Sequence, residues 1–460
     1  MNRKSGIFLL VVALAGGGYY YYRTQLSCSF LRQEKITIAG KEYPVRPAES
    51  LEKIGCTLRK IPDKKNAAIL YIEASNVYDD LDILDKSQRA LRDKRRYVTG
   101  NTWINDRDFT DWFQRNQECL ELLHKAAKKP HCEFLVLGVE DDIPAARMLP
   151  MDSQMRGFAQ LLVCEGKRYE YHKDYSRALD SYLAIAALCE HYHESNPVLI
   201  TDLVTIACHA VRNDAVETCL ANNSLSENDL RKVVKRYERV LKTHPTPVDA
   251  LKREKYVTDY SIDMAMETPE LAWILVLGPR SASARDRTYI AGLIRSSGAE
   301  LRAAYEQDYD ALITWSALPA WQALRPGSDW GAYLSRLPKT SIFSRGLLET
   351  LGRSKRQYAK SKAQAGGVLL FAAVKLYEKK NGRPPRALSD LVPDYLRQLP
   401  KDPFSGNDYV YKVKGAEWIL YSVWDNLTDD NGAGAWPHRV TSDKDLVFWS
   451  RKIPLKPPPR

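Results

Sequence analysis

The residues best suited to chemistry are oxygen donors. They form the run DNLTDDNG at 425–432, followed by a returning aspartate in DKDLVFW at 443–449. Adjacent carboxylates, an amide and the backbone carbonyls around Gly432 and Gly434 could supply the 6–8 oxygens that Ca²⁺ takes at about 2.3–2.6 Å in tolerant geometry. Asp, Asn and Gly are equally the natural residues of a solvated turn, so the run by itself leaves both readings open. The other reactive side chains form no constellation. Of the histidines (124, 131, 172, 191, 193, 209, 244 and 438), His191 and His193 are two apart on an expected helix. Such a pair points in different directions and is a poor metal pair. No HExxH, GxSxG or glycine-rich phosphate loop occurs. Carboxylate pairs such as Asp141-Asp142 read as solvated acids.

Eight cysteines stand at 28, 56, 119, 132, 164, 189, 208 and 219, with no CxxC or Cys/His metal spacing. Cys164, Cys189 and Cys208 lie on apolar faces of expected helices and read as buried thiols. Export would make disulfides available. Cys28 and Cys56, both in an irregular N-terminal region, are the pair most suspected of bridging, and the connectivity stays open.

These residues must be positioned by a long chain. Its 460 residues suffice for two or three domains with cores of their own, and 44% apolar with 27% charged residues is ordinary for a globular protein. The net charge of +11 comes from 68 Lys and Arg against 57 Asp and Glu. The cations are spread among acids, as in KVVKRYERVLK, which argues for a solvated surface and against nucleic-acid binding. Only the tail RKIPLKPPPR at 451–460 is concentrated, and its prolines favour an extended end. At the other terminus MNRKSG precedes an apolar, aromatic run from Ile7 to Tyr22. As a helix those sixteen residues would span roughly 24 Å, and four tyrosines suit a membrane interface. The expectation is an uncleaved signal anchor over 1–22; a cleaved signal peptide with Ala13-Leu14-Ala15 as its site is the alternative. Both readings export the rest of the chain.

A juxtamembrane linker with a strand-like piece, KITIAGKEYPV, is expected over 23–60. From 61 to 345 the apolar spacing is helical almost throughout. Within it Gly166, Tyr169, Tyr175, Ala178 and Tyr182 fall at the spacings of a tetratricopeptide motif, giving one helical hairpin near 155–194 without a second copy. Ser226 and Asp229 read as a capping box opening a helix whose stripe is Leu230, Val233, Val234, Tyr237 and Leu241. Asn196-Pro197 reads as another helix start. The Trp-rich stretch TWSALPAWQAL reads as core, with an aromatic groove as the alternative.

At 350–450 the pattern changes. A helix is expected from Ser354 to Lys380, broken by Gly382, then a short helix through Leu388, Leu391 and Tyr395. The turns at Pro400 and Pro403 lead into two antiparallel strands, DYVYKV and EWILYSV, joined at Lys414-Gly415. In this order YEKKNGRPP, LVPDYLRQLPKDPF, YVYKV, ILYSV and an acidic loop before DLVF resemble the head of the type II secretion major pseudopilin over about 90 residues. The resemblance implies a calcium site in the loop. Carried over by position, Asn426 stands near the family's first loop acid, Asp429 and Asp430 in its acidic run, and Asp445 at its late aspartate. The chain departs from the family in three ways: Trp424 replaces a usual Gly, Asn426 replaces an acid, and AWPHRVTS lengthens the loop. Val11 also stands where a pilin precursor carries Glu after its basic, Gly-ended leader, which argues against processing as a pilin.

The fold class expected is therefore mainly α, with tetratricopeptide-like hairpins or a bundle, followed by a small α+β pseudopilin-like domain with a short antiparallel sheet. The whole chain is similar to membrane-anchored, exported bacterial proteins of unassigned function that join an anchor, a helical domain and such a head. That likeness implies a single pass through the bacterial inner membrane with the bulk of the chain in the periplasm. The expected function is a non-enzymatic scaffold binding protein partners of the envelope or a secretion assembly. An exported enzyme acting on an envelope polymer, with its site in the helical domain, is the alternative.

Overall fold

The computed structural model describes residues 34–38, 41–45, 61–79, 107–134, 144–195, 199–222, 224–277, 283–338, 340–433 and 444–450. The expected anchor, both N-terminal cysteines, Asn196-Pro197 and the tail lie outside them. The strand-like piece of the linker is a hairpin, with β1 (Glu34–Ile38) antiparallel to β2 (Lys41–Val45). Among the described residues, those from there to the last 60 are mainly helical, and no described helix is long and apolar enough to cross a membrane.

Helices α1 (Ala67–Val77), α2 (Arg107–Arg115) and α3 (Gln117–Ala127) come first. Asn66 opens α1 by capping Ala68 N (3.1 Å) and reaches across to Glu133, accepting from its N–H at 2.9 Å. Satisfying the helix end and a distant backbone amide together fixes where the chain enters the core. Helices α4 (Pro144–Tyr171) and α5 (Tyr175–Ser195) form the expected hairpin, where Gly166 lies against Tyr182. A Cβ on Gly166 would fall 2.2 Å from the ring, so the crossing demands glycine. The Tyr182 hydroxyl in turn donates to Glu170 at 2.5 Å. Helix α6 (Leu199–Asn222) packs on both, and α7 (Glu227–Lys242) carries the capping box read from its sequence: Asp229 N donates to Ser226 Oγ, and Ser226 N to Asp229 Oδ2. Leu230, Val233, Val234 and Tyr237 are buried as expected; Val240 completes the stripe where Leu241 is only half-buried.

The next helices, α8 (Pro247–Glu267), α9 (Ala272–Leu277), α10 (Ala284–Ala317), α11 (Ala320–Ala323) and α12 (Trp330–Arg336), build a second core around Tyr305, Tyr309 and Trp330. Helix α13 (Glu349–Asn381), preceded by a π-helical turn at Ser344–Leu348, belongs to both cores. Leu351 and Tyr358 near its start pack into the second; the stretch from Val368 to Leu376 packs into the first.

Gly382 ends α13 in the left-handed conformation (φ +69°), with its N–H returning to Glu378 O. That is the C-terminal device for which glycine is the cheapest residue. A 3₁₀ turn at Leu388–Leu391 follows, then β3 (Val410–Lys414), β4 (Glu417–Ser422) and β5 (Leu446–Ser450), antiparallel in the order β3-β4-β5 with a bulge at Leu420/Tyr421. The sheet lies on α13 because α13 is smooth there. A Cβ on Gly366 would meet the Tyr409 hydroxyl at 2.3 Å, and one on Gly367 the Phe448 ring at 2.0 Å. Tyr409 then donates to Ala363 O at 2.8 Å, pinning strand to helix. Phe371, Leu420 and Phe448 are fully buried in this seam, each contributing on the order of 1.5–3 kcal/mol.

Candidate functional site

The acidic loop hangs from the end of β4. Its entry is held by a residue the sequence did not flag, Asp402. That carboxylate, almost fully buried, accepts from Phe404 N (3.0 Å), Ser422 Oγ (2.9 Å) and Val423 N (3.2 Å). Trp424 follows in the left-handed region (φ +56°), the conformation that favours glycine. Its buried ring packs against Phe404, and the Lys360 ammonium lies 5.4 Å from its centre. Asp425 is bound to α13 through Arg356 and Lys360.

Of the expected ligands, Asn426 turns inward on the loop. Its amide donates to Asp430 Oδ2 (2.7 Å) while its oxygen takes Thr428 N (3.0 Å). Asp429 Oδ1 accepts from the Tyr421 hydroxyl (2.9 Å) and Asn431 N (2.8 Å). Asp445, returning at β5, is 2% exposed and accepts Gly432 N through Oδ2 at 2.7 Å. Its Oδ1 is buried and has no hydrogen-bond partner. Burial, together with the charges of Asp429 and Asp430, raises the Asp445 pKa. The fold thus brings Asp429, Asp430 and Asp445 into one electrostatic neighbourhood, and the orphaned oxygen suits a hard cation in kind. Asn426 already gives one lone pair of its amide oxygen to Thr428 N. Among the described residues no three His, Cys, Asp or Glu side chains are gathered as a metal set. A bound cation would require Asp429 or Asp430 to turn toward Asp445.

Among the described histidines, His209 and His244 stack on each other (centroids 6.3 Å apart), whereas His191 and His193 have separate partners. His191 Nε2 faces Lys129 O (3.0 Å) and must donate, leaving Nδ1 to accept from the Tyr71 hydroxyl (2.9 Å). Burial lowers its pKa to about 4. His193, two residues on, points elsewhere, to fully buried Asp202 (2.5 Å), which also accepts from Tyr358 (2.5 Å). A His–Asp pair can serve a general base. Here the adjoining cavity, between His193 and His209, holds only about 10 Å³. Within the described chain the six cysteines from Cys119 to Cys219 are buried thiols, not disulfides. The Trp-rich stretch divides. Trp315 packs at a tilt against Trp330, which lies beyond the stretch and donates to Leu348 O, while Trp321 faces a cleft of about 500 Å³ beside Gly406 and Lys355.

A concavity of about 1480 Å³ lies between α7 and the Arg397–Lys401 segment, with α13 and the α3–α5 side below. Its floor is aliphatic, including Ala127, Leu183, Ala187, Leu241 and Leu369. Its rim is cationic because Lys232, Lys235, Arg236, Arg239 and Lys242 recur at three- and four-residue spacing on one face of α7. Some of that charge is neutralised: Lys232 pairs with Asp180 (2.7 Å), Arg236 and Arg239 with Glu190 (3.4 and 3.1 Å), and Arg397 Nε with Glu238 (3.9 Å). Lys128, Lys235, Lys242 and Lys362 are exposed and have no ion-pair partner among the described residues. Sequence patterning alone read these α7 cations as a solvated face, because it does not show what docks beside them.

A mainly helical chain with a small three-stranded antiparallel sheet near its C-terminus is the class that this architecture defines. No known family model, curated protein or solved structure matches the chain.

Proposed function

We propose that this chain is an anchored, extracytoplasmic scaffold that binds other proteins of the bacterial envelope or of a secretion assembly. In this reading Ile7–Tyr22 holds it in the inner membrane, the α4–α5 hairpin is a single tetratricopeptide-like unit, and 350–450 is a pseudopilin-like head. The observation that carries the proposal is the groove between α7 and the 397–401 segment. It is formed jointly by the helical part and the head and carries uncompensated charge over an apolar floor, and no nucleophile and base converge among its described lining residues. Crosslinking in membranes of the native cell, followed by pull-down, tests it: envelope proteins should be recovered with the chain, and recovery of the chain alone would refute it.

An exported enzyme draws support from the cleft at Trp321, where burial lowers the Lys355 pKa to about 8. That ammonium, however, is engaged by the carbonyls of Ser316 (2.6 Å) and Leu318 (2.5 Å), which favours the scaffold. Calcium belongs to the proposal as a stabiliser of the acidic loop, through Asp445, Asp429 and Asp430. Adding EGTA should lower the melting temperature of the full chain, and Asp445→Asn should abolish that response. A melting temperature indifferent to both EGTA and added calcium would remove the ion from the account.

A further inference from the structure

We propose that the α7 groove receives an acidic, amphipathic helical segment of a partner polypeptide. The inference deepens the scaffold reading by naming the chemistry of what is bound. Volume is the first argument. A helix is about 10–12 Å across and rises about 1.5 Å per residue, so some ten residues fill on the order of 1200 Å³. The groove holds about 1480 Å³, room for roughly three turns. The floor is the second. Ala127, Leu183, Ala187 and Leu369 present small and branched aliphatic surface that suits a guest's leucine stripe, the mode in which apolar anchors at i, i+3, i+4 and i+7 lie in a groove.

Charge placement is the third argument. Lys235 and Lys242 stand seven residues apart on α7, two turns or roughly 10.5 Å along the axis. Arg236 and Arg239 between them are committed to Glu190. Lys362 on α13 and Lys128 after α3 add unpaired charge at other points of the rim. A guest with acids two turns apart on one flank would meet Lys235 and Lys242 while its leucines face the floor. The same surface suits other polyanions less well. Among the described residues no tryptophan, tyrosine or phenylalanine lines the groove to stack bases, as a single-stranded nucleic acid would require. A concave, aliphatic floor is likewise not the shape that a membrane surface covers.

Fluorescence anisotropy on the full chain tests this, with a labelled peptide about four turns long carrying leucines at helical spacing and glutamates on the flanks. Three controls accompany it: a scrambled peptide of the same composition, the same peptide with lysine for glutamate, and a single-stranded oligonucleotide of similar charge. The amphipathic acidic peptide should bind most tightly, and the triple variant K235E/K242E/K362E should weaken it at least about tenfold. These lysines are exposed and unpaired, so the variant should melt within a few degrees of the parent. Equal binding of the scrambled peptide or the oligonucleotide would overturn the proposal, as would an affinity within twofold in the triple variant or no binding of any probe. If the peptide fails while native crosslinks still recover envelope proteins, the scaffold stands and this choice of occupant falls.

Discussion

Glu254 offers a sharp physical test of the helical core. It sits on α8 with 7% exposure, and its Oε2 accepts a long hydrogen bond from Leu199 N, 3.3 Å. Burial dominates and lifts its pKa from 4.5 to about 7, with no cation among the described residues to offset it. The sign follows from linkage. Below pH 4.5 the carboxyl is protonated folded and unfolded, and folding is not penalised. Between 4.5 and 7 the unfolded chain ionises while the folded chain resists, so stability falls, and above 7 the full penalty remains. At about 1.4 kcal/mol per tenfold change in acidity, that penalty is about 3 kcal/mol. Glu254→Gln keeps the shape and an oxygen for Leu199 while removing the charge. In urea denaturation the variant should match the parent near pH 4.5 and exceed it by about 3 kcal/mol at pH 8, as a shift in midpoint at constant slope. The variant-minus-parent difference cancels the histidines that titrate over the same range. A difference independent of pH would show that Glu254 is not held neutral, and the reasoning would fail.

His191 has the opposite sign. With a folded pKa of about 4 against an ordinary 6.5, its contribution is intact above pH 6.5 and is lost as pH falls toward 4, by about 3 kcal/mol. His191→Gln should flatten that part of the acid-unfolding curve, and an unchanged acid limb would contradict it. Gly367→Ala should cost on the order of 1–3 kcal/mol, because its Cβ would fall 2.0 Å from the Phe448 ring and push the sheet from α13. Equilibrium unfolding that shows no loss would mean that the seam is slack.

Much of the fold was legible because local chemistry decided it. Ser226 and Asp229 fix the start of α7 within a few bonds, and Gly382 fixes the end of α13 by its left-handed φ. The alternation in YVYKV and EWILYS produced the strands β3 and β4 at the expected turn, Lys414-Gly415. Other features depend on partners far away in the chain. Nothing near Asp402 announces that Ser422 and Val423 will need its carboxylate, although an Asp before Pro in a turn is a usable signal. The cationic stripe of α7 was visible as residues, but the groove exists only because Arg397–Lys401 docks beside it. The charges of Asp429 and Asp430 act on Asp445, and Asn426 bonds to Thr428 and Asp430, contacts that the order of residues along the loop does not announce. His191 and His193 diverge for the reason the sequence supplies: two residues on a helix do not share a face.

The central claim is that this chain works by holding other envelope proteins. Crosslinking in native membranes, with mass spectrometry of what is recovered, addresses it most directly. The account predicts envelope or secretion proteins joined to lysines of the α7 groove and of the head around it. Recovery of the chain alone, under conditions that capture known neighbours in the same membrane, would contradict it.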